Sequence, residues 1–251
     1  CVEIRLADNT CMLMDAGSGI RDFAISLNKR VGEIRHFHVF FTHFHWDHIQ
    51  GLPFFLPAFN PRNTVTFYSP IKGFRDILKN QMKSPYFPVT LDGAMQAKLN
   101  FVELDGEKVD LNNAEIRWKL SNHPDGAYVY KISENDRHLI YATDAELQEE
   151  DFKKNSENTA MFNGVDILIL DTMYTLGEAI EKINWGHTAF SLGVDFAAEW
   201  KVKKLFLFHH EPQYDDKRLY KNLRSAQWYA KRLGSTDLEI HLAEEDLEFE
   251  V

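Results

Sequence analysis

Only two cysteines, Cys1 and Cys11, occur in the 251 residues, too few for a disulfide framework or a cysteine-ligated zinc site. Their positions suggest opposite arms of one hairpin, where they read as small buried hydrophobes. Long apolar runs are absent as well. The cleanest, Ile167–Leu170 and Leu205–Phe208, are strand-sized and far short of the ~18 residues of a membrane span. Positive charge is in deficit, with 28 Lys and Arg against 38 Asp and Glu and a formal net charge of −10, which argues against a general nucleic-acid binder. No Pro-, Gly- or Ser-rich linker divides the chain, and neither an internal repeat nor a signal peptide is visible. These absences lead us to expect one cytoplasmic domain over residues 1–251 with no membrane partner. Val2, Ile4 and Leu6 alternate as though a strand had been cut into, so a strand missing before Cys1 is also expected.

What is present is an alternation of strand-like and helix-like segments in a chain that is 44% hydrophobic and 13% aromatic, enough for a large core. Val2–Leu6, a turn at Asp8-Asn9 and Cys11–Met14 read as a hairpin, followed by a helix with Ile20, Phe23, Leu27 and Val31 on its apolar face. Further strands are expected at Val39–Thr42, Thr64–Tyr68, Glu115–Leu120, Tyr128–Ile132, Leu139–Tyr141, Ile167–Leu170 and Leu205–Phe208. Helices are expected at Thr188–Trp200 and Lys217–Leu233, the second with Asp215 and Asp216 at its start and Gly234 as its C-cap glycine. Asp15, His43, His123, Asp144, Asp171 and His209 each fall at or just past the C-terminal end of an expected strand, the rim where sites of α/β folds assemble.

His43-Phe-His45-Trp-Asp47-His48 sets four metal-competent side chains in six residues directly after an apolar strand. A tight loop lets His43 and His45 converge on one cation while Asp47 and His48 turn toward a second, and imidazole with carboxylate suits zinc or a similar first-row metal. His36, His38, His138 and His241 carry no such spacing and read as structural or solvated. Asp15 is placed to support the loop through hydrogen bonds.

With these residues in hand the chain resembles the metallo-β-lactamase superfamily, and more closely its ribonuclease Z-like phosphodiesterase branch. DAGSG at 15–19, HFHWDH at 43–48, NHPDG at 122–126, YATDAE at 141–146, WGHTAF at 185–190 and LFLFHHEP at 205–212 occur in the family's order over nearly the whole chain. The resemblance implies an α/β fold, a four-layered αβ/βα sandwich. It makes His43, His45 and His123 ligands of one metal and Asp47, His48 and a C-terminal histidine ligands of a second, with Asp144 bridging. His209 follows an apolar strand directly and stands three positions before Pro212, so it is preferred to His210. Two divalent ions, zinc first and manganese or iron as alternatives, bring +4. Asp47, Asp144 and a bridging hydroxide return −3, leaving about +1 for an anionic substrate.

The resemblance also supplies a proton donor, His187 in WGHTAF, oriented by Asp171 in LDTMY where relatives usually carry glutamate. The alternative is an N-cap turn with Thr188 capping and His187 exposed. The expected activity is therefore that of a binuclear hydrolase, a phosphodiesterase acting on a small nucleotide-like diester through a metal-bridging hydroxide, with Asp47, His187 and Asp171 in catalytic roles. Its rivals are a lactone or thioester hydrolase on the same metals and a non-hydrolytic di-iron oxygen-binding sensor. The sensor is disfavoured because His45 stands where related di-iron proteins commonly carry glutamate. Between Asp144 and Ile167 the chain is short and acidic, with no room for the projecting arm of tRNA-maturing enzymes, and no Lys/Arg stripe is evident elsewhere. Neither tRNA nor DNA is expected as a partner, and a homodimer is allowed.

Overall fold

The computed structural model describes residues 1–27 and 34–250, and these form two compact units, 1–106 and 107–251. Val31, expected on the first helix, lies outside the described residues.

The first unit contains β1 (Val2–Arg5), β2 (Cys11–Met14), α1 (Gly19–Ser26), β3 (His36–Phe40), α2 (Trp46–Ile49), β4 (Thr64–Ser69), α3 (Phe74–Gln81), α4 (Leu91–Ala94) and β5 (Lys98–Glu103). Its sheet runs β1-β2-β3-β4-β5, with β1 antiparallel to β2 and every other pair parallel. The β1–β2 turn is the expected one, since Asn9 adopts φ +67° and Asp8 Oδ1 accepts from Thr10 N at 2.8 Å. Both cysteines are free thiols. Cys11, Leu13, Phe37, Val39, Val65 and Phe67 alternate along their strands onto one face and pack with Ile20 and Phe23 of α1 and Phe74 and Leu78 of α3. Each such fully buried side chain contributes about 1.5–3 kcal/mol. Strand β3 begins earlier than its apolar run, because His36–Phe40 pairs in register with Thr64–Tyr68. His38 is thereby buried against the Tyr68 hydroxyl, 3.0 Å away, rather than solvated.

The second unit contains β6 (Lys108–Leu111), β7 (Ala114–Ser121), β8 (Ala127–Glu134), β9 (Arg137–Ala142), α5 (Ser156–Phe162), β10 (Ile167–Asp171), α6 (Leu176–Glu181), α7 (Phe190–Glu199), β11 (Lys204–Phe208), α8 (Asp216–Arg232) and β12 (Glu239–Leu242). Its sheet order is β12-β11-β10-β9-β8-β7-β6. Strands β9 to β12 are parallel, whereas β7–β8 and β8–β9 are antiparallel. Two reversals make β7 parallel to β9, so the C-terminal ends of β7, β9, β10 and β11 share one rim. Central β10 is buried at every position, as its unbroken ILIL run requires of a strand covered on both faces. Leu168, Leu170, Leu205 and Leu207 pack with Val194 and Ala197 of α7 and Ala226 and Ala230 of α8. Asp215 caps α8, accepting from Arg218 N, and Gly234 beyond the helix has φ +80°. No helix among the described residues is long and apolar enough to cross a membrane.

Candidate functional site

In the first unit the His43–His48 loop is organised by Asp15, the residue after β2, which is 1% exposed and holds φ +60°. Left-handed backbone at a non-glycine residue costs of order 1–3 kcal/mol and marks a site where the surroundings enforce it. Asp15 Oδ1 accepts from Thr42 N at 2.8 Å, and Oδ2 accepts from His48 Nδ1 at 2.9 Å. The Thr42 hydroxyl donates to the same carboxylate at 2.9 Å. Its one proton being used, it accepts from His43 Nδ1 at 3.1 Å. Both imidazoles thus carry their proton on Nδ1 and offer Nε2 as the donor to a cation, the arrangement that hydrogen bonds behind metal-ligating histidines enforce.

The loop itself is drawn tight. The ring of His43 lies 4.4 Å from that of His45 and 4.2 Å from that of His48, and Asp47 Oδ2 is 3.0 Å from His48 Nε2. The segment after β2 clamps it, with Ala16 N donating to His48 O at 2.8 Å and Gly51 N to Ala16 O at 2.9 Å. A Cβ at Gly17 would collide with the Asp47 carbonyl oxygen, so glycine is required where the two backbones cross. Trp46 and Phe54 are exposed. Phe55 is fully buried against Phe23 and Phe37 and belongs to the core rather than to a base-stacking surface.

In the second unit the shared rim gathers His123 after β7, Asp144 after β9, Asp171 at the end of β10 and His209 after β11. Asp144 and His209 also hold left-handed backbone, at φ +51° and +56°. His123 Nδ1 donates to Gly186 O at 3.1 Å, and its Nε2 stands 3.6 Å from Asp144 Oδ1. The Thr143 hydroxyl donates to Asp144 Oδ2 at 2.7 Å and accepts from His209 Nδ1 at 3.0 Å, repeating the relay seen at Thr42. His210 points elsewhere, its Nε2 donating to Ala243 O at 2.9 Å, and burial lowers its pKa. Ligand atoms of His123, Asp144 and His187 lie within 4.8 Å of one another, as do those of Asp171, His187 and His209. Oriented imidazoles with carboxylates are a donor set that fits zinc or a similar divalent ion.

His187 is not exposed in a capping turn. Its Nδ1 donates to Asp171 Oδ2 at 2.7 Å, the carboxylate being fully buried, and its ring stacks 5.0 Å from that of His209. Helix α7 starts two residues later than expected, because the Thr188 hydroxyl donates to Ala145 O at 2.5 Å instead of capping, and Ala189 takes the N-cap position. Sequence reasoning missed Glu146. Its carboxylate accepts from Asn184 N at 3.1 Å and Gly186 N at 2.9 Å, fastening the loop that carries His187. A Cβ at Gly186 would run into the His123 ring. Tyr174 closes this side, its ring 5.8 Å from that of His187 with Lys182 Nζ 4.1 Å from its centroid, and burial pushes its hydroxyl pKa up to about 12.

The model of the beta-lactamase superfamily domain matches residues 10–210. Ribonuclease Z of Picrophilus torridus is 25% identical over 263 residues, covering 86% of this chain and 81% of that protein. Ribonuclease Z of Thermoplasma acidophilum is 23% identical, covering 83% of this chain and 80% of that protein, whereas the matches to two Prochlorococcus marinus strains span 41% of those proteins. Among solved structures, human tRNase Z, short form, superposes with a TM-score of 0.67 at 16% identity, covering 99% of this chain and 91% of that one. A diphosphatase of the PhnP family does so with a TM-score of 0.66 at 20% identity, covering 98% and 83%. At such identities the likeness to solved structures establishes the metallo-β-lactamase fold.

The expectation that tRNA is excluded as a partner is overturned by these relatives, named ribonuclease Z and tRNase Z. It rested on the short, acidic stretch between Asp144 and Ile167 and on net charge, which sums over the whole surface, whereas phosphate binding depends on local charge. It also overlooked α8, where Lys217, Lys221, Arg224 and Lys231 repeat at helical spacing. With the motifs, the fold and the matched domain in agreement, the chain belongs to the metallo-β-lactamase superfamily of metal-dependent hydrolases.

Proposed function

We propose that the protein is a phosphodiesterase acting on nucleotide-type diesters, RNA among them, with His43, His45, Asp47, His48, His123, Asp144 and His209 as ligands of two divalent ions, zinc in the first instance. The observation that carries this reading is the His187–Asp171 pair, a 2.7 Å hydrogen bond to a buried carboxylate on the rim that also holds His123, Asp144 and His209. Divalent ions supply Lewis acidity toward water and toward phosphoryl oxygens. The remaining demand of diester cleavage is a proton for the departing oxygen. With Nδ1 committed to Asp171, His187 delivers that proton from Nε2. A lactone or thioester makes less use of such a donor, so the pair favours phosphodiesters. The names of the relatives, ribonuclease Z, tRNase Z and PhnP-family diphosphatase, support the same class.

The test is a substrate panel on protein purified without chelator: bis-p-nitrophenyl phosphate, a cyclic nucleotide, a precursor tRNA, a lactone and a thioester, beside elemental analysis. The proposal predicts about two metal ions per chain and turnover of diesters. Hydrolysis confined to the lactone or thioester would overturn it.

A further inference from the structure

The outward stripe of α8 combines cations and an aromatic ring in one line. Lys217, Lys221, Arg224, Trp228 and Lys231 follow one another at alternating steps of four and three residues. They therefore share one face of the helix over about 21 Å. All five are exposed, while Asn222, Ala226 and Ala230 turn toward the core. Among the described residues no carboxylate forms a salt bridge with Lys217, Lys221, Arg224 or Lys231. Several cations elsewhere in this unit are matched, among them Lys119 with Asp151, Lys153 with Glu150 and Lys203 with Asp166. Glu178 of α6 is already engaged by Arg218, Tyr214 and Thr175. An acidic protein thus keeps an uncompensated positive ridge.

Beside the ridge lies a cleft of about 490 Å³ lined by Leu176, Phe190, Lys221, Arg224, Trp228 and Tyr229. Trp228 is 59% exposed, an indole kept in water where burial would stabilise it. The Arg232 guanidinium sits 5.3 Å from its ring centroid. Tyr229 is anchored by Asp195 at 2.8 Å, which fixes one wall. Phe190 begins α7 three residues after His187, and Leu176 begins α6 two residues after Tyr174, so the cleft grows from the two segments that frame the catalytic histidine.

From this juxtaposition we infer that the α8 ridge and its cleft bind a single-stranded segment of RNA, the phosphates on Lys217, Lys221, Arg224 and Lys231 and an unstacked base on Trp228. Spaced cations beside an exposed aromatic face match a single strand, whose bases are available for stacking. A second copy of this equally basic ridge would be repelled by it. The choice of RNA rests on the phosphodiesterase reading, while the ridge and cleft are independent of it.

The experiment is fluorescence anisotropy of a labelled 12-nucleotide single-stranded RNA with the metal-loaded protein, titrated at several salt concentrations, with RNA integrity and protein thermal unfolding checked alongside. Four phosphate contacts predict a slope of log K against log salt of about −2.8, and K221A/R224A should flatten it by about 1.4. W228A should weaken binding roughly 5- to 100-fold while leaving the slope unchanged. K153A, a cation away from α8, should leave both quantities unaltered, and unfolding temperatures near wild type would show that the variants fold. RNA binding that ignores K221A/R224A and W228A, or a self-association that W228A abolishes in a protein without RNA affinity, would overturn the inference. Small-diester hydrolysis by a wild-type protein without RNA affinity would overturn the ridge alone, and RNA affinity without any diester hydrolysis would overturn the phosphodiesterase reading alone.

Discussion

Glu146 Oε2 accepts a hydrogen bond from Gly186 N at 2.9 Å, joining the strand-end loop of Asp144 to the loop of His187. The same two loops are stitched again by Thr188, whose hydroxyl donates to Ala145 O and accepts from Leu147 N at 2.9 Å. His187 is therefore positioned from both sides, by Asp171 through its ring and by Glu146 through its backbone. Glu146→Ala should lower kcat on diesters with poor leaving groups about 10- to 100-fold with a smaller change in KM, and Glu146→Gln, which keeps an acceptor, should restore part of it. A loss that is equal for good and poor leaving groups would show that Glu146 merely stabilises the fold.

The two adjacent C-terminal histidines have separate partners. His209 contacts the Thr143–Asp144 pair, whereas His210 is bonded to Ala243 O. His209→Ala should cost much of one metal ion and most activity, and His210→Ala should leave metal content near normal. Elemental analysis of the two variants checks this, and the reverse outcome would exchange their roles.

Asp15 should control metal affinity without binding metal. Asp15→Ala leaves the His48 ring and Thr42 without their common acceptor, so metal affinity should fall about 10- to 100-fold, as for other outer hydrogen-bond partners of ligating histidines. Competition with a chelator measures it, and unchanged affinity would remove Asp15 from that role.

The buried strand histidine predicts acid sensitivity. Burial, with the neighbouring His36, lowers the His38 pKa from 6.5 to about 4. Between those values the unfolded chain takes up a proton that the folded one refuses, so stability is full above pH 6.5 and declines as pH falls toward 4. The loss from this group is about 2–3 kcal/mol. Denaturant titrations from pH 7 to 4 on wild type and His38→Gln should show a shallower acid loss in the variant. Parallel curves would dismiss His38 as the cause.

Much of this was legible in the sequence where one physical cause acts locally. Cys11–Met14, Ile167–Leu170 and Leu205–Phe208 announce buried strands by apolar runs, and α8 by its caps and periodicity. The short strands β5, β6 and β12 went unread, because KLNFVE, KVDL and EIHL are too brief or too mixed to show a period. Helix α7 was started too early because Thr188 looks like a cap until its hydroxyl is claimed by Ala145, 43 residues away. Glu146 was illegible for a related reason: its partners are backbone amides 38 and 40 residues distant, which leave no signature in residue type. The ridge on α8 is not evident as a stripe because Lys217, Lys221, Arg224 and Lys231 are separated by other residues along the chain and share a face only once the helix has formed.

The most direct test of the proposed chemistry is kcat for wild type and His187→Ala on two diesters that differ only in leaving group, a nitrophenolate and an alkoxide, with metal content measured on both proteins. If His187 donates the proton, the variant keeps its metals and loses roughly 10²–10⁴-fold on the alkoxide, with a much smaller loss on the nitrophenolate. Equal losses on the two substrates, or departure of a metal ion with the imidazole, would contradict the account.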